Sequence, residues 1–176
     1  MLYSVPSPPT GATLAGLRAL LLAPFGAGAA YAYLSDQLST IRSFAGLSGW
    51  QRVEADLTGS QFGEATARGK FGPTAAQSIS LVLAGLSAPQ RTAVEALLDA
   101  GPVVALCQDY ALRWWLYGQD FGLRVPNSAA TSGQFRGEST QTVGITGTQR
   151  SAARQVAQSR INLLYNSVTT FTQAPA

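Results

Sequence analysis

The side chains that most often carry chemistry are scarce in this chain of 176 residues. It has no histidine, which removes the commonest general base and the commonest metal ligand at neutral pH. Its one cysteine, Cys107, lies in an apolar run and has no second thiol to pair with. Serine–histidine and cysteine–histidine nucleophiles and ordinary zinc sites are therefore excluded. Gly59 to Lys70 is glycine-rich but has neither the length nor the following helix of a phosphate-cradling loop. Carboxylates remain. Glu54 and Asp56 are two apart on a predicted strand, about 7 Å from each other, a spacing an inverting glycosidase can use. Asp109 and Asp120 flank an aromatic strand. Against this, Glu54 and Asp56 share their strand face with Arg52, as a solvated face does, and nothing else in the sequence builds a substrate cleft. An enzyme is not expected, nor a metal or cofactor.

The aromatic residues offer binding rather than catalysis. Trp114 and Trp115 are adjacent, so in a strand they face opposite sides and one belongs to the core. The other, like Trp50, is available as a carbohydrate platform or as the anchor of a subunit contact.

Composition points toward assembly. Charged residues are only 12% and hydrophobic residues 46%, against about 25% charged in an average globular chain. A surface so poor in charge gains little solubility from repulsion and is suited to being covered by neighbouring copies. The net charge is +3, but the arginines are scattered, with no basic face for reading nucleic acid. Arg18 followed by the apolar run Ala19–Leu34 imitates a secretory leader. Pro24, Gly26 and Gly28 interrupt that run, and it is shorter than the roughly 20 residues of a membrane span, so neither leader nor span is expected.

The elements that position these residues read as mainly β. Met1–Thr13 is proline-rich and forms an extended arm. Residues 14–157 form the folded domain, and 158–176 a C-terminal extension. Leu17–Pro24 has strand length. Trp50–Leu57 alternates, with Val53, Ala55 and Leu57 on one side and Trp50, Arg52, Glu54 and Asp56 on the other. Thr58–Pro73 is predicted to be a long polar loop. Ala76–Leu83 alternates again, with Ile79, Leu81 and Leu83 inward and Ser78 and Ser80 outward. Ser87 and Gln90 make a capping box for a helix over 88–100, whose apolar face is Val94, Leu97 and Leu98 and which Gly101-Pro102 ends. Val103–Cys107, Arg113–Tyr117 and Thr140–Thr146 follow as strands, with Asp109-Tyr110 a turn and Pro126–Gly137 a loop. The fold class is thus α+β, an antiparallel β-sandwich with one helix.

Several segments resemble a known family. Gly85-Leu86-Ser87 leading into the helix, Val103-Val104-Ala105-Leu106, Trp114-Trp115-Leu116-Tyr117-Gly118-Gln119-Asp120-Phe121-Gly122-Leu123-Arg124 and Val143-Gly144-Ile145-Thr146-Gly147-Thr148-Gln149-Arg150 together are similar to the tail tube proteins of long-tailed bacteriophages. The likeness spans roughly Trp50 to Val156. It implies a β-sandwich with a flanking helix, hexameric rings sharing a continuous inner β-barrel, and stacking of those rings into the conduit for DNA ejection. It implies a place in the virion tail after assembly in the host cytoplasm. It also implies tape-measure and tail-end proteins as partners, no membrane, and DNA that transits without specific binding. Carried onto this chain, the strands Trp50–Leu57 and Ala76–Leu83 line the lumen with Arg52, Glu54, Asp56, Ser78 and Ser80. The 58–73 loop, with Phe62, Glu64, Arg68, Lys70 and Phe71, joins ring to ring. A tail terminator or connector ring protein, or a small carbohydrate-binding sandwich, are the other expectations.

Overall fold

The computed structural model describes residues 16–26, 28–34, 40–53, 57, 59–70, 72–84, 88–131, 140–158, 161 and 164. Two kinds of apolar pattern produce two kinds of sheet. The uninterrupted runs become β1 (Ala19–Pro24) and β7 (Val103–Gln108), buried from Ala19 to Ala23 and from Val103 to Cys107. A strand needs a continuous oily sequence only when both faces of its sheet are covered. The alternating sequences become β6 (Gly72–Ala84) and β10 (Thr140–Gln149), in which buried and open positions take turns, as in a sheet covered on one side.

The first sheet has seven strands. Besides β1 and β7 these are β2 (Ala30–Tyr33), β3 (Thr40–Ala45), β4 (Gln51–Arg52), β8 (Trp114–Tyr117) and β11 (Arg154–Val156), in the order β2-β3-β11-β8-β7-β1-β4. All its pairings are antiparallel except β11 with β3. The second sheet has four antiparallel strands, with β5 (Gln61–Gly69) and β9 (Arg124–Thr131) at its ends, in the order β5-β6-β10-β9. Among the described residues the protein is therefore mainly β, with α-helix confined chiefly to one element, and has two open sheets packed face to face and not closed into a barrel.

Between the sheets lies one core, formed by Leu20, Leu22, Ala105 and Cys107 from the first sheet and Ile79, Leu81, Leu83, Val143 and Ile145 from the second. A second apolar layer covers the far face of the seven-stranded sheet, with Leu21, Val104, Leu106, Ile41, Trp50 and Trp114. Ile161, in the C-terminal extension, is fully buried in that layer, and Leu164 packs against it. Gln158, Ile161 and Leu164 are helical.

The helix α1 (Ala88–Asp99) links the two sheets. Val94 and Leu97 enter the inter-sheet core, and the helix packs beside β9. Gly101, at φ 55°, takes the left-handed conformation that ends the helix, and Pro102 prevents its resumption. Leu98 departs from expectation. It is 37% exposed and does not share the core face of Val94 and Leu97. The predicted cap Ser87 lies outside the described residues, as do the arm Met1–Thr13 and residues 165–176.

The largest correction concerns 58–73. This stretch is mostly strand, because β5 pairs with β6 from Gln61↔Ser80 to Gly69↔Gly72 as one long hairpin. Glycine weakens a strand's own propensity, but the alternating strand beside it supplies the register. The 126–137 stretch, expected as a loop, likewise begins as β9, which carries Pro126 at the edge of its sheet, where a missing N–H is tolerated. Strands β2, β3 and β11 were not expected from the sequence.

Candidate assembly surface

The outward face of the four-stranded sheet is built from small side chains. Register places Gln61, Gly63, Ala65 and Ala67 of β5 beside Ser80, Ser78, Ala76 and Thr74 of β6, and these beside Gly144, Thr146 and Thr148 of β10. None of these three strands puts a charged side chain on that face. The result is a wettable wall of glycine, alanine, serine and threonine, backed by the inter-sheet core, with Arg124 of β9 opposite Thr146 on the same side. At one end of the wall stands the edge strand β5, exposed from Glu64 to Gly69. At the other stands β9.

The residues singled out from sequence do not all meet here. Ser78 is exposed and Ser80 half-buried on the wall. Arg52 is elsewhere. It belongs to β4, opposite Leu21 of β1, and directly opposed antiparallel residues point the same way. Its side chain therefore lies on the far face of the seven-stranded sheet, away from the wall. The strands around Arg52 and Ser78 are in different sheets and do not form one pair. Glu54 and Asp56 lie outside the described residues.

The hairpin residues also separate. Phe62 is half-buried against the inter-sheet core, edge-on to Tyr117 with ring centroids 5.6 Å apart, so it anchors the base of the hairpin. Glu64 turns back toward the body, where its Oε2 accepts the Ala153 N–H at 2.7 Å. Arg68 and Lys70 are exposed near the tip, and Phe71 lies outside the described residues. At the root, Ser60 is buried. Its Oγ accepts the Val82 N–H at 2.8 Å and its carbonyl accepts the Leu17 N–H.

Two segments, 114–124 and 143–150, meet in a knot of polar contacts. The turn Gly118–Gly122 carries the chain from β8 in the first sheet to β9 in the second. Gln149, at the end of β10, is 1% exposed. Its Oε1 accepts the Asp120 and Phe121 N–H groups, both at 3.0 Å, and its Nε2 donates to the Gly122 carbonyl at 2.8 Å. Gln77 of β6, equally buried, accepts the Gly118 N–H through Oε1 at 2.8 Å. Asp120 Oδ2 accepts the N–H groups of Arg150 and Ser151 and the Ser151 hydroxyl. Gly122, at φ 72°, has no room for a side chain, since a Cβ there would meet Pro102 Cβ at 2.7 Å. Sequence reasoning passed over Gln77 and Gln149. The available signal was parity, because each occupies the inward register of an alternating strand beside glycine.

Asp109 and Asp120 are committed to hydrogen bonds within the fold. Asp109 Oδ1 accepts the Arg113 N–H, and its Oδ2 accepts from Arg113 Nε at 2.8 Å and Trp115 Nε1 at 3.2 Å. Asp109 and Asp120 lie at opposite ends of β8 and do not converge. No group of three or more His, Cys, Asp or Glu side chains among the described residues is arranged to hold a metal ion. The tryptophans are not platforms either. Trp50 and Trp114 are buried on the far face of the first sheet, and Trp115 is half-buried against the inter-sheet core, so the carbohydrate reading loses the exposed Trp it required.

Burial pushes the Cys107 thiol well above its ordinary range. A thiolate is the reactive species, so native protein is expected to resist alkylation by maleimide at pH 7.5 and to react only after denaturation, as intact-mass spectrometry will read. Burial, with Tyr33 and Asp120 nearby, pushes the Tyr31 hydroxyl up to about 12.

Comparison of the chain with protein-family models, with curated proteins and with solved structures finds no match.

Proposed function

We propose that the chain is a structural subunit that joins copies of itself edge to edge into rings and stacks them into a tube, the tail tube of a long-tailed bacteriophage through which DNA passes. The observation that carries this reading is the four-stranded sheet. One face is core, the other is a wall of small residues whose one charge on these four strands is Arg124 of β9, opposite Thr146, and its end strands β5 and β9 have no partner beyond them within the described chain. An unprotected sheet edge is a template for another strand. Pairing β5 of one copy with β9 of the next, repeated around a ring, removes both edges and closes the walls into a barrel. A channel lined by Ser78, Ser80, Thr142 and Thr146 offers DNA wetting, with Arg124 beside Thr146 as the single phosphate-neutralising cation each copy brings, too few to hold it tightly.

The hairpin supports stacking. Its tip is exposed from Ala67 to Lys70, and an exposed two-stranded ribbon gains stability by lying on another surface. In this reading the remaining partners are tape-measure and tail-end proteins, and the site of action is the virion tail. A terminator or connector ring uses the same edges without stacking.

Sedimentation velocity tests the proposal. The purified protein is expected to sediment as species of many 18.4 kDa subunits. A single monomeric boundary at tens of micromolar, in roughly physiological salt, overturns it.

A further inference from the structure

Beyond the two sheet edges, the surface carries a pair of unlike patches that fit each other. The first is aromatic and basic. Phe121 is 51% exposed, the most exposed large apolar residue described, and the Arg150 guanidinium stands 5.2 Å from its ring centre. Tyr33, 38% exposed, has Arg154 6.0 Å from its ring. Exposed aromatics with arginine are the composition of interface anchors. The Phe121 turn is also rigidly presented. Gln149 accepts the Phe121 N–H itself, and Asp120 fixes the backbone of Arg150. An anchor held in place before contact loses less entropy on docking.

The second patch is apolar and acidic. On α1, Leu98 is 37% exposed where the core pattern of the helix would have buried it. Glu95 and Asp99 are exposed on either side of it. Glu95 precedes Leu98 by three residues and Asp99 by four, so it neighbours both on the helix surface. That surface offers a small apolar knob beside two negative charges, the complement in sign and in chemistry of an aromatic ring carrying a guanidinium.

We infer that the Phe121–Arg150 patch of one copy receives the Glu95–Leu98–Asp99 face of α1 from a neighbouring copy. The inference rests on the self-assembly proposed above and names a contact within it. A contact between two unlike patches propagates into rings or filaments when it is not returned between the same two chains. Opposed charges also fix which neighbour is accepted and in what orientation.

Two charge reversals test it. Arg150→Glu, and separately Glu95→Arg with Asp99→Arg, each place like charges across the contact. Each variant alone is expected to need about tenfold or more protein to assemble than the wild type, with an unchanged circular dichroism spectrum. An equimolar mixture of the two is expected to assemble again, because reversed patches now face one another and the chains alternate. Recovery on mixing also shows that neither variant was misfolded. Wild-type assembly in either variant alone, or a mixture that stays unassembled, overturns the contact while leaving the proposed function standing. A wild-type chain that remains monomeric overturns both.

Discussion

Replacing Gln149 with alanine is expected to destabilise the monomeric fold by about 4 kcal/mol, since each polar group stranded away from water costs roughly 1–3 kcal/mol. Three backbone groups lose their partner at once, namely the N–H groups of Asp120 and Phe121 and the carbonyl of Gly122. Water cannot easily replace the amide, because Gln149 is 1% exposed and the turn is closed by contact between Gly122 and Pro102. The turn also links the sheets. Gly118–Gly122 carries the chain from the first sheet to the second, and the residues after Gln149 carry it back. Against a total stability of about 5–15 kcal/mol for such a domain, the loss is a large fraction. Urea denaturation followed by tryptophan fluorescence will measure it. A fall in midpoint with unchanged slope is expected, and a loss below about 1 kcal/mol would mean that the sheets are held without this knot.

Shortening the hairpin is expected to abolish tubes while leaving the subunit folded. The structure dictates where to cut. Removing 60–72 in one piece would take away Ser60, whose bonds to Val82 and Leu17 hold the body together, and Phe62, which packs in the core. Excising Ala67–Thr74 and joining the opposed pair Thr66 and Ala75 through Asn-Gly keeps these contacts, and Asn-Gly is the favoured two-residue turn for a hairpin. The removed residues 67–70 and 72–74 are exposed or half-buried, so the melting temperature is expected to change by no more than a few degrees. Electron microscopy of the shortened chain is expected to show separate rings or single subunits. Normal tubes from it would remove the hairpin from stacking.

Much of the four-stranded sheet was legible in the sequence because its neighbours in space are simple. Ile79, Leu81 and Leu83, like Val143 and Ile145, alternate with small polar residues, and only one face of that sheet is covered. The seven-stranded sheet was harder to read for the opposite reason. Trp50 alternates away from Val53, which implied a wet face, yet a second apolar layer covers that side. Ile161, from the far end of the chain, helps to build that layer, and no local pattern announces it. The 58–73 stretch looked like a loop because Gly63, Gly69 and Gly72 dilute its strand character, and its partner strand restores what propensity lacks. Leu98 shows the limit of periodicity, being near enough to the apolar stripe of α1 to be counted in it and far enough round to be exposed. Of the candidate channel residues, Ser78 and Ser80 stayed together because they share a strand. Arg52 was separated from them by sheet membership, a long-range property that alternation within one strand does not encode.

Electron microscopy of the intact purified protein is the most direct measurement of whether copies of this chain join through the four-stranded sheet. Stacked rings with an open centre are expected, and in averaged density the wall that carries Ser78 and Thr146 should border the opening. Single compact particles, or rings whose opening is bordered by the seven-stranded sheet, would contradict it.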